Sequence, residues 1–232
     1  MTIEDLQVIF EDNHLIAVNK PAGELVHGDD TEDITVADVV KQYIKIRYNK
    51  PGDVFLGVIH RIDRPVSGAL IFARTSKALT RMNQLLRERA IQKTYLAISD
   101  TRPEPHFGQL THYLLKDTTK NFVRAFAKQK HKGAKKATLD YKLLSSIGNH
   151  HLIEVNPKTG RPHQIRVQLS RLGCPIRGDV KYGASKGNRS GRIHLHSRAL
   201  EFIHPVRKEL VKIVAEIPNE QLWNQYYDFL ED

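Results

Sequence analysis

Apolar residues recur along the chain with two periods, which predict a mixture of short strands and a few helices. Alternating or β-branched apolar runs predict strands that include Leu15 to Val18, Ala69 to Ala73 and Lys93 to Ile98. Apolar positions at helical spacing predict helices that begin after Thr35 and Thr75, because a threonine can accept a hydrogen bond from the first helical turn. This order of elements indicates the α+β class, with a mixed, largely antiparallel sheet and flanking helices. We expect a single domain over residues 1–232.

A strand, an irregular loop and a second strand follow one another over residues 57–77, and the loop is densely charged. His60, Arg61, Asp63 and Arg64 lie between two apolar runs. The neighbouring arginines should keep Asp63 ionised at neutral pH, as a nucleophile or as an ion-pair partner. The alternative is that Asp63 shapes a turn and that the arginines are solvated.

A second charged stretch, residues 158–173, has an apolar stripe at helical spacing and predicts a helix with Pro162 in its first turn. Arg161, His163 and Arg166 occupy other positions around that stripe. A buried nucleophilic carboxylate needs a partner that keeps it ionised, and arginine cannot lose its charge. Taken alone, Arg166 fits a surface arginine of the helix better than it fits such a partner.

Basic residues exceed acidic residues by ten, with a sequence pI near 9.6. This balance suggests a polyanionic partner, of which nucleic acid is the commonest, but it fits a merely basic soluble enzyme equally well. The run from Lys128 to Lys136 is either a solvated loop or a phosphate contact. The single cysteine, Cys174, suits a reducing compartment. No signal peptide or membrane span is apparent, and we expect a cytoplasmic monomer.

Motifs for cofactors and metals are weak. The chain has no P-loop or dinucleotide fingerprint, and His194 and His196 lack a clear carboxylate partner for a metal site. We therefore expect neither an organic cofactor nor a metal.

The charged loop, His60-Arg61-Ile62-Asp63 followed by Ser67-Gly68-Ala69-Leu70, resembles the H-R-L-D-x-x-T-S-G-L-L signature of the RluA-type RNA pseudouridine synthases. Lys-x-Tyr-x-Ala around Tyr95 is similar to the second motif of the family, and residues 159–170 (TGRPHQIRVQLS) are similar to a third. Val66 replaces the usual threonine, and Gln168 replaces the usual histidine. The resemblance extends from about Val8 to Pro205, and we therefore expect the form of the family without the N-terminal RNA-binding domain that some members carry.

The resemblance implies the pseudouridine synthase fold and the isomerisation of uridine to pseudouridine in a structured ribosomal or transfer RNA. It assigns the catalytic roles to Asp63 as the nucleophile, Tyr95 beside the target base and Arg166 as the basic partner of Asp63. It also implies that Arg61 occupies the space of the flipped-out base and that Ile165 lines the base pocket. The further candidates for contact with RNA are His60, Arg161 and His163.

Two other functions remain open at this point. One is a catalytically idle RNA-binding or ribosome-assembly protein on the same fold, which the departures at Val66 and Gln168 leave possible. The other is an RNA hydrolase that uses His60 and Asp63 as an acid and base pair. The reaction products distinguish the three functions. A synthase leaves pseudouridine in the RNA, a hydrolase releases free base or cleaved RNA, and an idle protein gives no product.

Overall fold

The computed structural model describes residues 1–28, 33–188 and 190–230, and it has the predicted α+β composition. The described chain forms two compact units. Unit 1 comprises Met1–Gln92 and Ser197–Glu216, and unit 2 comprises Lys93–His196 and Ile217–Asp232. The single catalytic domain over residues 1–232 stays a prediction, and residues 29–32, 189 and 231–232 of that range lie outside the described residues.

The helices and strands agree in type with most of the sequence predictions. The strands are β1 (Val8–Glu11), β2 (Leu15–Lys20), β3 (Gly57–Val58), β4 (Ser67–Ala73), β5 (Gln92–Ser99), β6 (Phe107–Asp117), β7 (Phe122–Phe126), β8 (Lys135–Ile147), β9 (His150–Pro157), β10 (Leu195–Ile203) and β11 (Leu210–Val214). The α-helices are α1 (Val36–Arg47), α2 (Ser76–Glu88), α3 (Gln164–Arg171) and α4 (Gln221–Asn224).

In unit 1, a strongly apolar strand lies at the centre of the sheet. The strand order is β1-β2-β4-β10, with β3 also paired to β4 and β11 to β10. Every residue of β4 is buried, which explains why its sequence is a continuous run of small and apolar residues. Ala69, Ile71 and Met82 belong to one apolar cluster that joins the sheet to α2. The sheet therefore holds the beginning of β4, directly after the charged loop, in a rigid position.

Both predicted helix caps of unit 1 are present. The Thr35 side chain accepts from the Asp38 backbone N–H, and the Asp38 side chain accepts in return from the Thr35 backbone, which is a capping box. The Thr75 hydroxyl accepts from the Ala78 N–H at 3.2 Å and caps α2. Such caps depend on residues close in sequence, so they are readable without tertiary information.

In unit 2, five strands run in the order β5-β9-β8-β6-β7 with antiparallel pairing between neighbours. One apolar cluster contains Leu96, Ile98 and Trp223, and another contains Val167 of α3 with Tyr182. Helix α3 therefore packs on the β6-β7 end of this sheet, with every residue from 164 to 169 buried.

Leu222, Tyr226 and Phe229 recur at helical spacing and predict a C-terminal helix over residues 219–229 with these side chains on its inner face, and this prediction is wrong. The α-helix is limited to α4, and a 3₁₀ turn follows at Tyr227–Phe229. Trp223 and Tyr226 are buried, whereas Phe229, predicted on the inner face, is 54% exposed. Burying two large aromatic rings in the cluster of unit 2 determines the path of this segment more strongly than its helical periodicity does.

Within the described residues, no helix combines the length and the apolar character needed to cross a membrane.

Candidate active site

The loop between β3 and β4, residues 59–66, carries His60, Arg61 and Asp63 in unit 1. It contains a turn in which the Val66 N–H donates to the Asp63 carbonyl at 3.0 Å. His60 Nε2 accepts from the Ile71 N–H at 3.3 Å, so the neutral ring carries its proton on Nδ1. This contact joins the loop to β4 and gives the His60 ring a positioning role. The Asp63 side chain is half-buried.

Lys20, the last residue of β2, contacts the backbone of this loop. It is fully buried, and its Nζ donates to the carbonyls of Pro21 at 2.9 Å, Glu24 at 2.9 Å and Arg64 at 3.2 Å. Burial lowers the pKa of Lys20 to about 7, and the negative charges of Glu24 and Asp63 oppose this decrease. Because Arg64 directly follows Asp63, Lys20 fixes the backbone next to the candidate nucleophile.

Arg64 also holds the loop, through its side chain. Its Nε donates to the Gly23 carbonyl at 2.9 Å, and its own carbonyl accepts from the Gly23 N–H at 2.7 Å. Its Nη1 lies 3.2 Å from Asp33 Oδ2. These contacts tie the loop to the segment that follows β2.

The beginning of β4 approaches the backbone of β10 closely, and Gly68 lies at the point of closest approach. Its φ is +113°, and an added Cβ would lie 2.3 Å from the Ser197 carbonyl oxygen of β10. The Ser197 hydroxyl donates to the Ala69 carbonyl at 3.1 Å. Only glycine permits this close backbone approach in this conformation.

Arg61 is the exposed member of the loop. Its Nη1 donates to His27 Nε2 at 3.1 Å, while its side chain stays accessible to solvent. An exposed, always charged guanidinium at this position suits contact with RNA.

In unit 2, Tyr95 and Ile165 are buried, with 8% and 7% of their surface exposed. Tyr95 lies in β5, opposite Val155 of β9. Lys93, on the same face of β5, has its pKa lowered by burial. Tyr95 is therefore a buried ring that has an apolar residue, Val155, as its cross-strand partner.

Arg166 is buried in α3 and forms a two-bond ion pair with Asp179. Its Nε donates to Asp179 Oδ2 at 2.7 Å and its Nη2 donates to Asp179 Oδ1 at 2.8 Å. The Arg166 and Asp179 side chains are 7% and 1% exposed. The carboxylate engages the edge formed by Nε and Nη2, which leaves the Nη1 edge to other acceptors.

Tyr182 connects Arg166 with His163. The Arg166 guanidinium lies over the Tyr182 ring, 5.0 Å from its centroid. The Tyr182 hydroxyl accepts from the Val123 N–H at 3.0 Å and lies 2.7 Å from His163 Nδ1. Because the hydroxyl accepts from Val123, its own proton is available to His163, which favours the His163 tautomer protonated on Nε2.

The prediction that Pro162 lies in the first turn of this helix is wrong. Helix α3 begins at Gln164, and its N-cap, His163, has the left-handed φ of 49°. The Gln164 side chain accepts from the Thr159 hydroxyl at 2.8 Å and from the Arg161 N–H at 3.0 Å. These side-chain hydrogen bonds hold residues 159–163 as a loop, and helical periodicity gives no sign of them.

Arg161 lies beside the basic run. Its Nε donates to the Lys136 carbonyl at 3.3 Å, and the lysines of the run are exposed. Arg161 therefore adds a positive charge next to the exposed lysines of this run. Such a surface contacts phosphates through charge and carries no sequence information.

Gln168, which replaces the histidine usual in the family, is fully buried. Its Nε2 lies 3.2 Å from the Leu110 carbonyl, 3.3 Å from the Ala137 carbonyl and 3.1 Å from His112 Nδ1. These contacts join α3 to β6 and β8. The Gln168 amide therefore helps to hold α3 against the sheet of unit 2.

The predicted site residues thus fall in both units, and sequence reasoning missed three that surround them: Lys20, Asp179 and Tyr182. Nothing local in the sequence marks Asp179 or Tyr182 as part of the site. A lysine that ends an apolar strand was the one available signal, because lysine is rarely buried without a specific set of acceptors. Among the described residues, no three histidine, cysteine or acidic side chains are grouped as metal ligands.

Fold and charge together define a basic α+β protein, a class in which enzymes that act on RNA are expected. The family model for RNA pseudouridylate synthase matches residues 14–171. The chain therefore belongs to the RNA pseudouridylate synthase family.

Curated relatives agree with this family. The chain is 33% identical over 218 residues to the ribosomal large subunit pseudouridine synthase C of Buchnera aphidicola, covering 91% of this chain and 67% of that protein. It is 34% identical to the ribosomal large subunit pseudouridine synthase D of Borreliella burgdorferi, covering 92% and 65%. It is 32% identical over 248 residues to the tRNA pseudouridine synthase C of Haemophilus influenzae, covering 95% and 98%. The chain thus spans about two thirds of the ribosomal relatives and nearly all of the tRNA relative.

Solved structures confirm the fold. Human RNA pseudouridylate synthase domain containing 4 superposes with a TM-score of 0.76 at 26% identity, covering 92% of this chain and 89% of that one. Human RNA pseudouridylate synthase domain containing 1 superposes with a TM-score of 0.71 at 22% identity. The predicted family, fold class and pseudouridine synthase function are confirmed, and no finding favours the idle alternative. The roles of the individual site residues stay predictions.

Proposed function

We propose that the protein isomerises specific uridines of structured ribosomal or transfer RNA, with Asp63 as the nucleophile, Arg166 as its basic partner and Tyr95 beside the base. The observation that carries the proposal is the construction of the Asp63 loop. Lys20, Gly23 and Gly68 hold this loop on both sides while its carboxylate is only half-buried. A rigid loop that presents one carboxylate suits a nucleophile better than a surface turn.

The reaction breaks the bond between N1 of uracil and C1′ of the ribose and forms a bond between C5 and C1′. In one route the Asp63 carboxylate bonds to C1′ and the electron pair of the broken bond goes to the uracil. The rotated base then attacks C1′ through C5, the carboxylate leaves, C5 loses its proton and N1 gains one. In the other route the carboxylate adds to C6 of the uracil and the C5=C6 electron pair moves to the C4 carbonyl oxygen. The N1–C1′ bond then breaks with its electron pair on N1, and the rotated base attacks C1′ through C5. The carboxylate leaves C6 as C5 loses its proton and the C5=C6 bond forms again, and N1 gains a proton. The residues fit both routes.

Arg166 contributes through charge. It carries a permanent positive charge, and Asp179 leaves its Nη1 edge to other acceptors. Arg61, exposed on the same loop as Asp63, contacts the RNA where the target nucleotide has left the stack. Tyr95 and Ile165 supply aromatic and apolar walls for the detached base, which must be held while it rotates.

RNA as the partner is supported by the net charge of +10 and by the names of the relatives, which specify ribosomal and transfer RNA. A cytoplasmic location and a monomeric state complete the proposal. Such RNA is abundant in the cytoplasm, and the buried thiol of Cys174 suits a reducing compartment.

The experiment compares cellular RNA from a strain that lacks the gene with RNA from the same strain complemented by wild type or by Asp63→Asn. Pseudouridines are mapped by carbodiimide treatment and primer extension. We expect one or a few stops that return with wild type and not with Asp63→Asn, whereas RNA binding by the variant stays near wild type. Turnover by Asp63→Asn would show that Asp63 is not the nucleophile. Release of free base or cleaved RNA would instead indicate a hydrolase.

A further inference from the structure

We propose that Asp179 and Tyr182 are positioning residues that fix the guanidinium of Arg166 for catalysis. The inference rests on the proposed function, in which Arg166 is the partner of Asp63. It adds two residues from the segment after α3, and neither of them was among the site residues that the sequence predicted.

The first step is the burial of an ion pair. Arg166 and Asp179 are both almost inaccessible to solvent, at 7% and 1% of their side-chain surface. A buried ion pair is costly to desolvate and is often no more stable than apolar residues of the same volume. Stability alone is therefore a poor reason for this pair.

The second step is the geometry of the pair. Asp179 accepts from Nε at 2.7 Å and from Nη2 at 2.8 Å, which fixes the plane of the guanidinium and its rotation within that plane. One hydrogen bond would leave that rotation free. The two bonds direct the Nη1 edge to a single side.

The third step is the contact on the face of the guanidinium. The Tyr182 ring lies below it, with the Arg166 Cζ atom 5.0 Å from the ring centroid. This ring is itself fixed, because Phe122 stacks on it at 5.0 Å and its hydroxyl is bound to Val123 and His163. The Asp179 contacts at the edge of the guanidinium and the Tyr182 ring at its face together fix its position.

Backbone hydrogen bonds hold Asp179 in a short turn. The Asp179 N–H donates to the Ile176 carbonyl at 2.9 Å, and its carbonyl accepts from Tyr182 at 3.0 Å and from Ala184 at 3.1 Å. Gly178 precedes it with φ +86°, and an added Cβ there would lie 2.9 Å from the Arg192 carbonyl oxygen. Asp179 and Tyr182 thus belong to one short turn, so a single local structure delivers both contacts.

The experiment uses the full chain and an RNA substrate that contains a site identified by the mapping above, with steady-state kinetics. Asp179→Asn retains the shape of the side chain but replaces one acceptor by an amide that faces an N–H of Arg166. We expect kcat to fall by about 100-fold, as for a misplaced catalytic group, with KM within about threefold of wild type. Tyr182→Leu should lower kcat by about tenfold because it removes the ring face. Tyr182→Phe keeps the ring but loses the bonds of its hydroxyl to Val123 and His163, so kcat should fall by less than it does in Tyr182→Leu.

A double-mutant cycle separates positioning from a merely structural role. In the Arg166→Lys background the planar two-bond geometry is absent, so Asp179→Asn should change kcat by less than about threefold. Glu11→Gln is the matched control, because Glu11 also pairs with a mostly buried arginine, Arg74, at 3.0 Å in unit 1. It should lower thermal stability without lowering kcat.

Two results would overturn the inference: Asp179→Asn with kcat within about threefold of wild type, or the same loss of kcat in both backgrounds. If Asp179→Asn does not fold, Tyr182→Leu decides, and normal kcat in that variant overturns the inference. An inactive wild type, or an active Asp63→Asn, would contradict the proposed function instead.

Discussion

Replacing Lys20 by methionine tests whether a buried ammonium group supports the Asp63 loop. Lys20 is fully buried, and its Nζ donates to three backbone carbonyls around residues 21–24 and 64. Methionine has a similar length but neither the charge nor the donors. Three carbonyls lose a partner, at about 1 kcal/mol each for partly buried groups. The variant also avoids the cost of burying a charge.

The pH dependence separates these opposing effects. The pKa of Lys20 is about 7 in the folded protein, compared with an ordinary value of 10.5. Between these values the unfolded chain binds more protons than the folded one, so the stability of the wild type rises with pH. From about pH 7 to about pH 9 the contribution of this one group is about 2 kcal/mol, and it is lost again as pH falls to the folded pKa.

The assay is urea denaturation of wild type and Lys20→Met at several pH values in that range. Other titrating groups are common to both proteins and cancel in the difference. We expect the free energy of unfolding of the wild type to gain about 2 kcal/mol on the variant between pH 7 and pH 9. Lys212→Met, at an exposed position of β11, is the control and should show no such change.

A difference that is constant with pH, or that falls as pH rises, would refute this reasoning. A second observable links Lys20 to the site. Asp63 acts to raise the pKa of Lys20, so Asp63→Asn should lower that pKa further and extend the pH dependence below pH 7.

Two further predictions concern unit 1. Gly68→Ala should lower the free energy of unfolding by about 3 kcal/mol or more, since it combines backbone strain with a clash against the Ser197 carbonyl. Gly23→Ala is the matched control, because Gly23 has φ +102° but no atom within 4 Å of an added Cβ. In urea denaturation this control should cost about 1 kcal/mol. Equal losses would show that the close approach does not matter. Burial lowers the pKa of His204 below its usual 6.5, against the opposing effect of Asp12, so the wild type should lose stability as pH falls below about 6.5. His204→Asn should lose less over that range by thermal denaturation, and a parallel decrease would count against the assignment.

Much of the fold was predictable from residues close together in sequence. The caps Thr35 and Thr75 are local signals, and both helices begin where they predict. The terminal helix was not predictable in this way, because the burial of Trp223 and Tyr226 among residues far away in the chain decides its path. Long-range packing overrides periodicity where large aromatic rings must be buried.

The candidate site likewise combines residues that contiguous motifs identify with residues that only the folded structure reveals. The resemblance carried Asp63, Tyr95 and Arg166, since their motifs are contiguous, and it also carried the family and the reaction. It did not indicate that Lys20 would bind the Arg64 carbonyl across 44 residues, or that Asp179 would take two of the Arg166 N–H groups. A buried charge reveals its acceptors only when the chain has folded around it.

The sequence by itself thus determined the α+β class, the types of most elements, the basic surface and the enzyme family, because each depends on composition or on contiguous residues. The tertiary structure alone decided which charges are buried and which groups satisfy them. The physical reason is that desolvation makes a charge depend on every neighbour within a few ångströms, and those neighbours come from distant parts of the chain.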